Sequence, residues 1–454
     1  MKNSATPPLQ PQDQKPALET LLALAKKQGA TQADAIATNG RSLSIGVRAG
    51  KLEDIDNSEG EDIGLRVFVE GRQACVSSSD LSMGSLEKLA ERAVAMAKLA
   101  PEDPWAALAD TDKLAAIEPD LDIFDPADVS ADHLFTRASE VEAAALNVKG
   151  IKQAEGANAH CVSAASFFMT TGGFAKGWRS TRHGLSVAAF AGDGTNMERD
   201  YDYAGTRWLS DLPSPEEIGA KAAARVLARL GAQQMSSGEM PVMFDRRVSS
   251  SLLSAFIGAI SGPAIARGVS FLKDAMDTQI FSKTLNITDD PLRKRGTGSR
   301  PWDGEGVASK PLGLIENGIL RSWMLNTATA AQLGLSTTGH ASRDISAPPG
   351  VSSSNTHIHA GAQSPQDMMK DMGEGLLITE MFGPSINPNT GDYSVGIAGF
   401  AVKNGARSNP VNEVTVAGNL LDMFKNLTPA SDLKFDDPIN APSLLVDNLV
   451  IAGE

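Results

Sequence analysis

A chain of 454 residues is too long for one ordinary hydrophobic core, so two large domains are expected. Hydrophobic residues at 42% and charged residues at 21% are those of a soluble globular protein, and a net charge of −14 argues against nucleic-acid binding through a broad basic surface. Two cysteines, Cys75 and Cys161, cannot build a disulfide framework or a cysteine-rich zinc site; they read as small buried hydrophobes in a reducing cytoplasm.

The N-terminal stretch KNSATPPLQPQDQKP is polar and has no apolar core of the kind a signal peptide needs. Residues 1–15 are expected as a disordered tail. No apolar run anywhere is long enough for a membrane span. Leu18, Leu21, Leu22 and Ala25 fall on one face of a helix over residues 16–29, which Gly29 ends. Strands at 33–38 and 42–47 are expected to form a hairpin at Asn39-Gly40, because both residue types tolerate positive φ. Ile63, Leu65, Val67 and Val69 alternate as on a half-buried strand, with the turn at Glu70-Gly71. The acidic run from Glu53 to Asp62 reads as a solvated hairpin edge rather than a metal site.

A helix over 82–99, a Pro-rich connector (PEDPWAALAD) and a helix over 132–146 follow. Strands with glycine turns fill 151–208 and lack the GxGxxG phosphate pattern. Ser214-Pro215-Glu216-Glu217 opens a helix with a capping box, ending at Gly231. The polar stretch 233–239 divides the chain into an N-terminal α+β domain, 16–236, and a β-rich C-terminal domain, 237–454.

The second domain opens with a strand over 241–245 and an apolar helix over 249–261, with Ser249-Ser250-Ser251 as its cap, then a Gly-Pro break. Further Asn-Gly turns lie at Asn317-Gly318 and Asn404-Gly405. Short helices are expected at 326–333, 364–372 and 419–427, and strands at 375–381, 391–403, 406–416 and 443–451. The whole is α+β, two domains with helices packed on largely antiparallel sheets.

Metal-assisted hydrolysis needs two or three ligands held together with a position open for water. Of six histidines, His357 and His359 are two apart and share a face on a strand, the one geometric candidate for a metal pair. No GxSxG nucleophile elbow is present. Asp303-Gly304-Glu305-Gly306 reads most simply as a plain surface turn; as an alternative, Asp303, Glu305 and Gly306 could face a substrate or partner.

Four stretches in order resemble the TldD/PmbA metalloprotease family, and within it the PmbA (TldE) branch: VRAGKLEDIDNSEGEDIGLRVFVEGRQACVSSSD, MAKLAPEDP, PWDGEGVASKPLGLIENGILRSW and ITEMFGPSINPNTGDYSVGIAGFAVKNGA. The resemblance implies a bacterial cytosolic heteromeric zinc metalloprotease that cuts small, unfolded or modified peptides in a closed chamber. The TldD-type partner carries an HExxxH helix and a downstream cysteine that complete the zinc site. The family's active helix reads LLHE, three residues, then His. Here Leu252-Leu253 keep the leading pair, but Ser254 and Ala259 stand at the two histidine positions and Ala255 at the glutamate. Both cysteines lie in the first domain, so the late ligand is missing too.

Ser and Ala offer no imidazole nitrogen, and Ala cannot deprotonate water. The expectation is therefore no catalytic residue and no metal in this chain, with zinc in a TldD-type partner subunit and peptides as substrates. Nucleic acid and membrane are not expected as partners, and self-association of the isolated chain is left open. Histidines five apart lie about 140° apart on a 3.6-residue helix and need a local π-type widening to share a metal. Without that demand this helix is expected to be straight. Two other readings stand beside this one: an independent hydrolase using other residues, with His357/His359 as a candidate metal pair, and a non-enzymatic peptide-binding module.

Overall fold

A computed structural model describes residues 9–453. The first half is built from four long strands and two short ones. They are β1 (Gln32–Arg48), β2 (Lys51–Val69), β3 (Arg72–Ser78), β4 (Ile151–Thr170), β5 (Ala175–Ala191) and β6 (Glu198–Thr206). They form one antiparallel sheet in the order β3-β2-β1-β4-β5-β6. Burial along β1 is concentrated at its two ends, where Ala35 and Ala37 at one and Ile45 and Val47 at the other are inward.

Each end therefore acquires its own helical cover. Helices α1 (Lys15–Gln28) and α2 (Met83–Leu99) place Leu18, Leu21, Leu86 and Leu89 on Ile63, Leu65 and Val67. Helices α3 (Ala131–Leu146) and α4 (Pro215–Arg229) place Leu134, Val141, Ile218 and Val226 on Ile45, Leu185 and Val187. One ribbon thus carries two separate cores.

The hairpin expected at Asn39-Gly40 does not form. β1 runs straight through it, because Gly40 is paired with Gly60 of β2 on one side and Ala164 of β4 on the other. A ladder on both edges outweighs a local turn preference. The chain reverses instead at Ala49 (φ 51°) and Gly50 (φ 69°). There the buried Glu142 carboxylate accepts both backbone N–H groups at 2.7 Å. Turns at Glu70-Gly71, Asn317-Gly318 and Asn404-Gly405 have the expected positive φ.

The tail expected over 1–15 is ordered from Leu9 onward: Leu9 is buried and Pro11–Gln14 form a 3-10 turn beside β4 and β5. Residues 1–8 lie outside the described range. Ser214 caps α4 by accepting the Glu217 N–H at 3.2 Å, but the Glu217 side chain bonds Lys221 and the expected box is half made.

The second half starts with β7 (Gly238–Phe244), helix α5 (Arg246–Ala259) and helix α6 (Gly262–Ala266). Short strands β8 (Ile287–Asp289), β9 (Leu312–Glu316) and β10 (Ile319–Leu320), helix α7 (Thr327–Gln332) and strands β11 (Ala341–Ser342), β12 (Gly350–Val351) and β13 (Thr356–Ile358) follow. The chain continues with α8 (Pro365–Met372), β14 (Gly375–Ile386), β15 (Asp392–Lys403), β16 (Ala406–Asn419), α9 (Leu420–Lys425), β17 (Leu427–Pro429), β18 (Ile439–Asn440) and β19 (Leu444–Ala452).

One six-stranded sheet has the order β16-β15-β14-β7-β19-β17, and a further β16–β19 pairing closes five of its strands into a ring. Only the β14–β7 pair in it is parallel. A five-stranded sheet, β10-β9-β8-β13-β18, packs across a shared core that includes Phe256, Phe281, Trp323 and Phe424. The fold is α+β with largely antiparallel sheets, as expected, and its second half is rich in strands.

The two halves meet through aromatics and close backbone. Phe174 and Trp178 of the first half lie 5.7 and 5.8 Å, ring to ring, from Trp302 of the second. A Cβ on Gly64 of β2 would sit 2.0 Å from the Ile345 carbonyl oxygen, so glycine is required for that approach.

Candidate functional site

Helix α5 starts where β7 ends, with the Asp245 carboxylate accepting the Arg247 N–H at 2.9 Å as its cap. The three serines expected as the cap lie inside the helix. Ser249 is fully buried, and its hydroxyl donates to the carbonyl oxygens of Arg246 and Ala441. Asp245 is the better cap because it is the last residue before helical geometry and its carboxylate reaches back to the first turn.

Leu252, Leu253, Phe256 and Ile260 anchor α5 in the core; Phe256 packs edge-on at 5.4 Å from Phe281 and 6.1 Å from Phe424. The other face carries Ser254 and Gly258, both exposed, with Ala255 half-buried; Ala259 is buried at 8%. The helix is regular α from Arg246 to Ala259 with no π-type turn.

A zinc ion does not fit these side chains. The Ser254 hydroxyl donates to the Ser250 carbonyl at 2.9 Å, a bond internal to the helix. Ala255 and Ala259 have no donor atom to offer. Among the described residues, no group of three or more His, Cys, Asp or Glu is placed to hold a metal.

His357 and His359 do share a face, with rings stacked 5.1 Å apart at 8°. His359 Nε2 is 2.9 Å from the Thr288 hydroxyl, and His357 packs edge-on against Phe435 at 5.0 Å. Burial, then the neighbouring His359, pulls the His357 pKa down, so its ring is neutral at pH 7. Neither cysteine is an activated nucleophile. Burial raises the Cys75 thiol, and burial followed by the Asp125 charge pushes Cys161 up to about 11.

The surface turn expected at Asp303, Glu305 and Gly306 is buried instead. Asp303 is 2% and Glu305 3% exposed, and Gly306 turns at φ 83° against the Phe174 ring. Asp303 accepts the N–H groups of Glu305, Val307 and Ala341 at 2.9–3.0 Å. Burial, with the Glu305 charge added, still pushes its pKa up to about 7.

Glu305 lies 3.8 Å from Arg66, which bonds Asp34 at 2.5 Å; Arg343 reaches the other Asp34 oxygen at 3.1 Å. Two guanidiniums and two carboxylates balance in a sealed joint between the halves. Such burial is affordable only for paired charges. The partners come from distant segments, and no local motif announced them.

A second buried network escaped the sequence reading. Asp289 accepts from Ser354 Oγ at 2.5 Å and Thr356 Oγ1 at 2.6 Å, and lies 3.2 Å from His340 Nε2. Burial alone would raise the Asp289 pKa, but the bonds from His340, Ser354 and Thr356 outweigh it and hold the carboxyl at about 2. Serine and histidine here address the same carboxylate rather than each other. The arrangement braces β8 and β13 and lacks the nucleophile–base contact of a catalytic triad.

Three domain patterns cover most of the chain: PmbA/TldA metallopeptidase domain 1 over residues 33–97, the central domain over 124–230 and the C-terminal domain over 237–453. The first two correspond to the two cores carried by the single N-terminal sheet. The chain is 38% identical over 443 residues to metalloprotease PmbA of Escherichia coli O157:H7, covering 96% of each. A solved structure from Bacteroides thetaiotaomicron matches at TM-score 0.89 with 26% identity, over 97% of this chain and 99% of that one. TldE from Thermococcus kodakarensis matches at TM-score 0.82 with 20% identity, over 96% of this chain and all of that one, a likeness of fold.

Proposed function

The chain belongs to the PmbA/TldD metallopeptidase family, and from that membership we propose that it is the PmbA/TldE-type subunit of a heteromeric cytoplasmic zinc peptidase. Its role is assembly and enclosure of peptide substrates; zinc and the catalytic groups reside in a TldD-type partner. One observation carries this reading. Helix α5 is packed and regular, and the resemblance puts Ser254, Ala255 and Ala259 of it at the family's ligand and base positions. An intact scaffold without donors fits a structural subunit better than an enzyme with a displaced site.

The exposed side of α5, with Ser254 and Gly258, carries little side-chain bulk, so another surface can approach its backbone closely. In the proposed assembly it forms part of the chamber wall. The test is to purify the chain alone and with a TldD-type subunit, then measure zinc content and cleavage of an unfolded peptide. Cleavage and zinc only in the mixture support the proposal. Zinc-dependent cleavage by the chain alone overturns it.

A further inference from the structure

A cleft of about 490 Å³ opens where β6 and the start of α4 face the first turn of α5 and the loops 293–297 and 434–441. Its volume is that of a small-ligand or peptide-segment site. Its charge is out of character with the molecule. Nine Lys and Arg and five Asp and Glu line it, in a chain whose net charge is −14.

Several of these cations are answered within the protein. Arg225 pairs with Asp202, Arg246 with Asp436 and Arg247 with Asp200, each at 2.6 Å. Others are not. Arg207 donates to the carbonyl oxygens of Thr181, Gly296 and Thr297 and meets no carboxylate among the described residues. Burial, then repulsion from Arg182, lowers its pKa to about 10, the mark of a cation lacking a counter-charge. The Arg293 guanidinium lies 3.3 Å from the Phe435 ring centroid, and its side chain has no hydrogen bond or ion pair among the described residues. Lys434, exposed at the rim, likewise has none.

Uncompensated cations around a concave, low-dielectric wall focus a positive potential into the cleft. Guanidiniums match the planar fork of a carboxylate. The carboxylates that share the lining, Asp202, Asp436 and Asp437 among them, disfavour a dense dianion such as phosphate. We propose that this cleft binds the carboxylate groups of an acidic peptide segment, with Arg207, Arg293 and Lys434 as the receiving cations. The proposal rests on the peptide-handling role above and adds a substrate chemistry and a place on this chain.

The test uses the purified full chain without a partner and fluorescence anisotropy of labelled Gly-Ser peptides. One series carries several glutamates and the other glutamines, each with a free or an amidated C-terminus. The glutamate series is expected to bind at least about tenfold more tightly, with affinity falling as salt rises. Loss on Glu-to-Gln replacement supports the proposal, whereas loss on amidation alone, with the two series binding alike, overturns it in favour of a site for any peptide C-terminus.

The double variant Arg293→Gln/Lys434→Gln should lose about tenfold in affinity with only a small change in thermal unfolding, since the sole contact it removes among those described is the stacking of Arg293 on Phe435. Indifference to both replacements, or unchanged binding by that folded double variant, overturns the proposal. Displacement of the peptide by inorganic phosphate at lower concentration than by acetate also overturns it. Because the readout is binding by the isolated chain, it stands or falls separately from the zinc and cleavage assay that tests the subunit role.

Discussion

Replacing Asp34 by Asn should loosen the joint between the two halves of the molecule. Asp34 is fully buried and receives Arg66 Nε at 2.5 Å on one oxygen and Arg343 Nε at 3.1 Å on the other. Asparagine keeps the shape but removes the charge, and its amide N–H₂ would face one of the two guanidiniums, donor against donor. Two cations would then share only Glu305, 3.8 Å from Arg66. Breaking a buried pair by removing one partner costs about 3–5 kcal/mol.

Charge balance, rather than the single contact, is the source of that cost. Asp34→Asn combined with Arg343→Met leaves Arg66 with Glu305, so it should recover at least about half of the loss. Urea unfolding followed by tryptophan fluorescence suits the question, because Trp178 and Trp302 face each other across this joint. A loss below about 1 kcal/mol for Asp34→Asn, or a double variant that merely sums the two single losses, would show that charge balance does not hold this joint.

Phe256→Ala should cost about 3–5 kcal/mol, whereas Ser254→Ala, two residues away on the exposed face, should stay within about 0.5 kcal/mol; chemical denaturation of both separates anchor from surface. Gly40→Ala should stabilise by roughly 0.5–1 kcal/mol, since Gly40 sits in a paired strand and its new Cβ would meet only Ser163 O at 3.8 Å; a loss in Tm would mean a turn there after all. Asp289 is held at about 2, below its unfolded value, so its stabilisation is full above about pH 4 and is lost as pH falls toward 2. It amounts to about 2–3 kcal/mol, and Asp289→Asn should flatten that acid limb in unfolding curves taken across the window; an unchanged limb would place the acid sensitivity elsewhere.

What the sequence disclosed and what it hid divide along the range of the interactions. Local signals were legible: Leu18, Leu21 and Leu22 on one helical face, Ser214-Pro215 and Ser364-Pro365 as helix starts, and Asn317-Gly318 and Asn404-Gly405 as turns. Asn39-Gly40 misled because its conformation is set by β2 and β4, whose pairing cannot be read from two residues.

Asp303 and Glu305 look like surface turn residues until Arg66 and the backbone donors that neutralise them are known. Asp34 and Arg343, which complete the joint, are 309 positions apart. The basic cleft was hidden for the same reason, since its cations come from several separate segments and dissolve into an acidic average. By contrast, the lost ligands of α5 were legible in sequence, because the family resemblance singles out Ser254, Ala255 and Ala259, and those side chains lack imidazole and carboxylate whatever surrounds them.

Zinc content, measured alongside peptide cleavage, separates a structural subunit from an enzyme. The chain purified alone, the chain mixed with a TldD-type subunit, and that subunit alone are each dialysed against zinc and assayed on one unfolded peptide. No bound zinc and no cleavage are expected from this chain alone, with both present in the assembled pair. Stoichiometric zinc and chelator-sensitive cleavage from this chain by itself would contradict the subunit role.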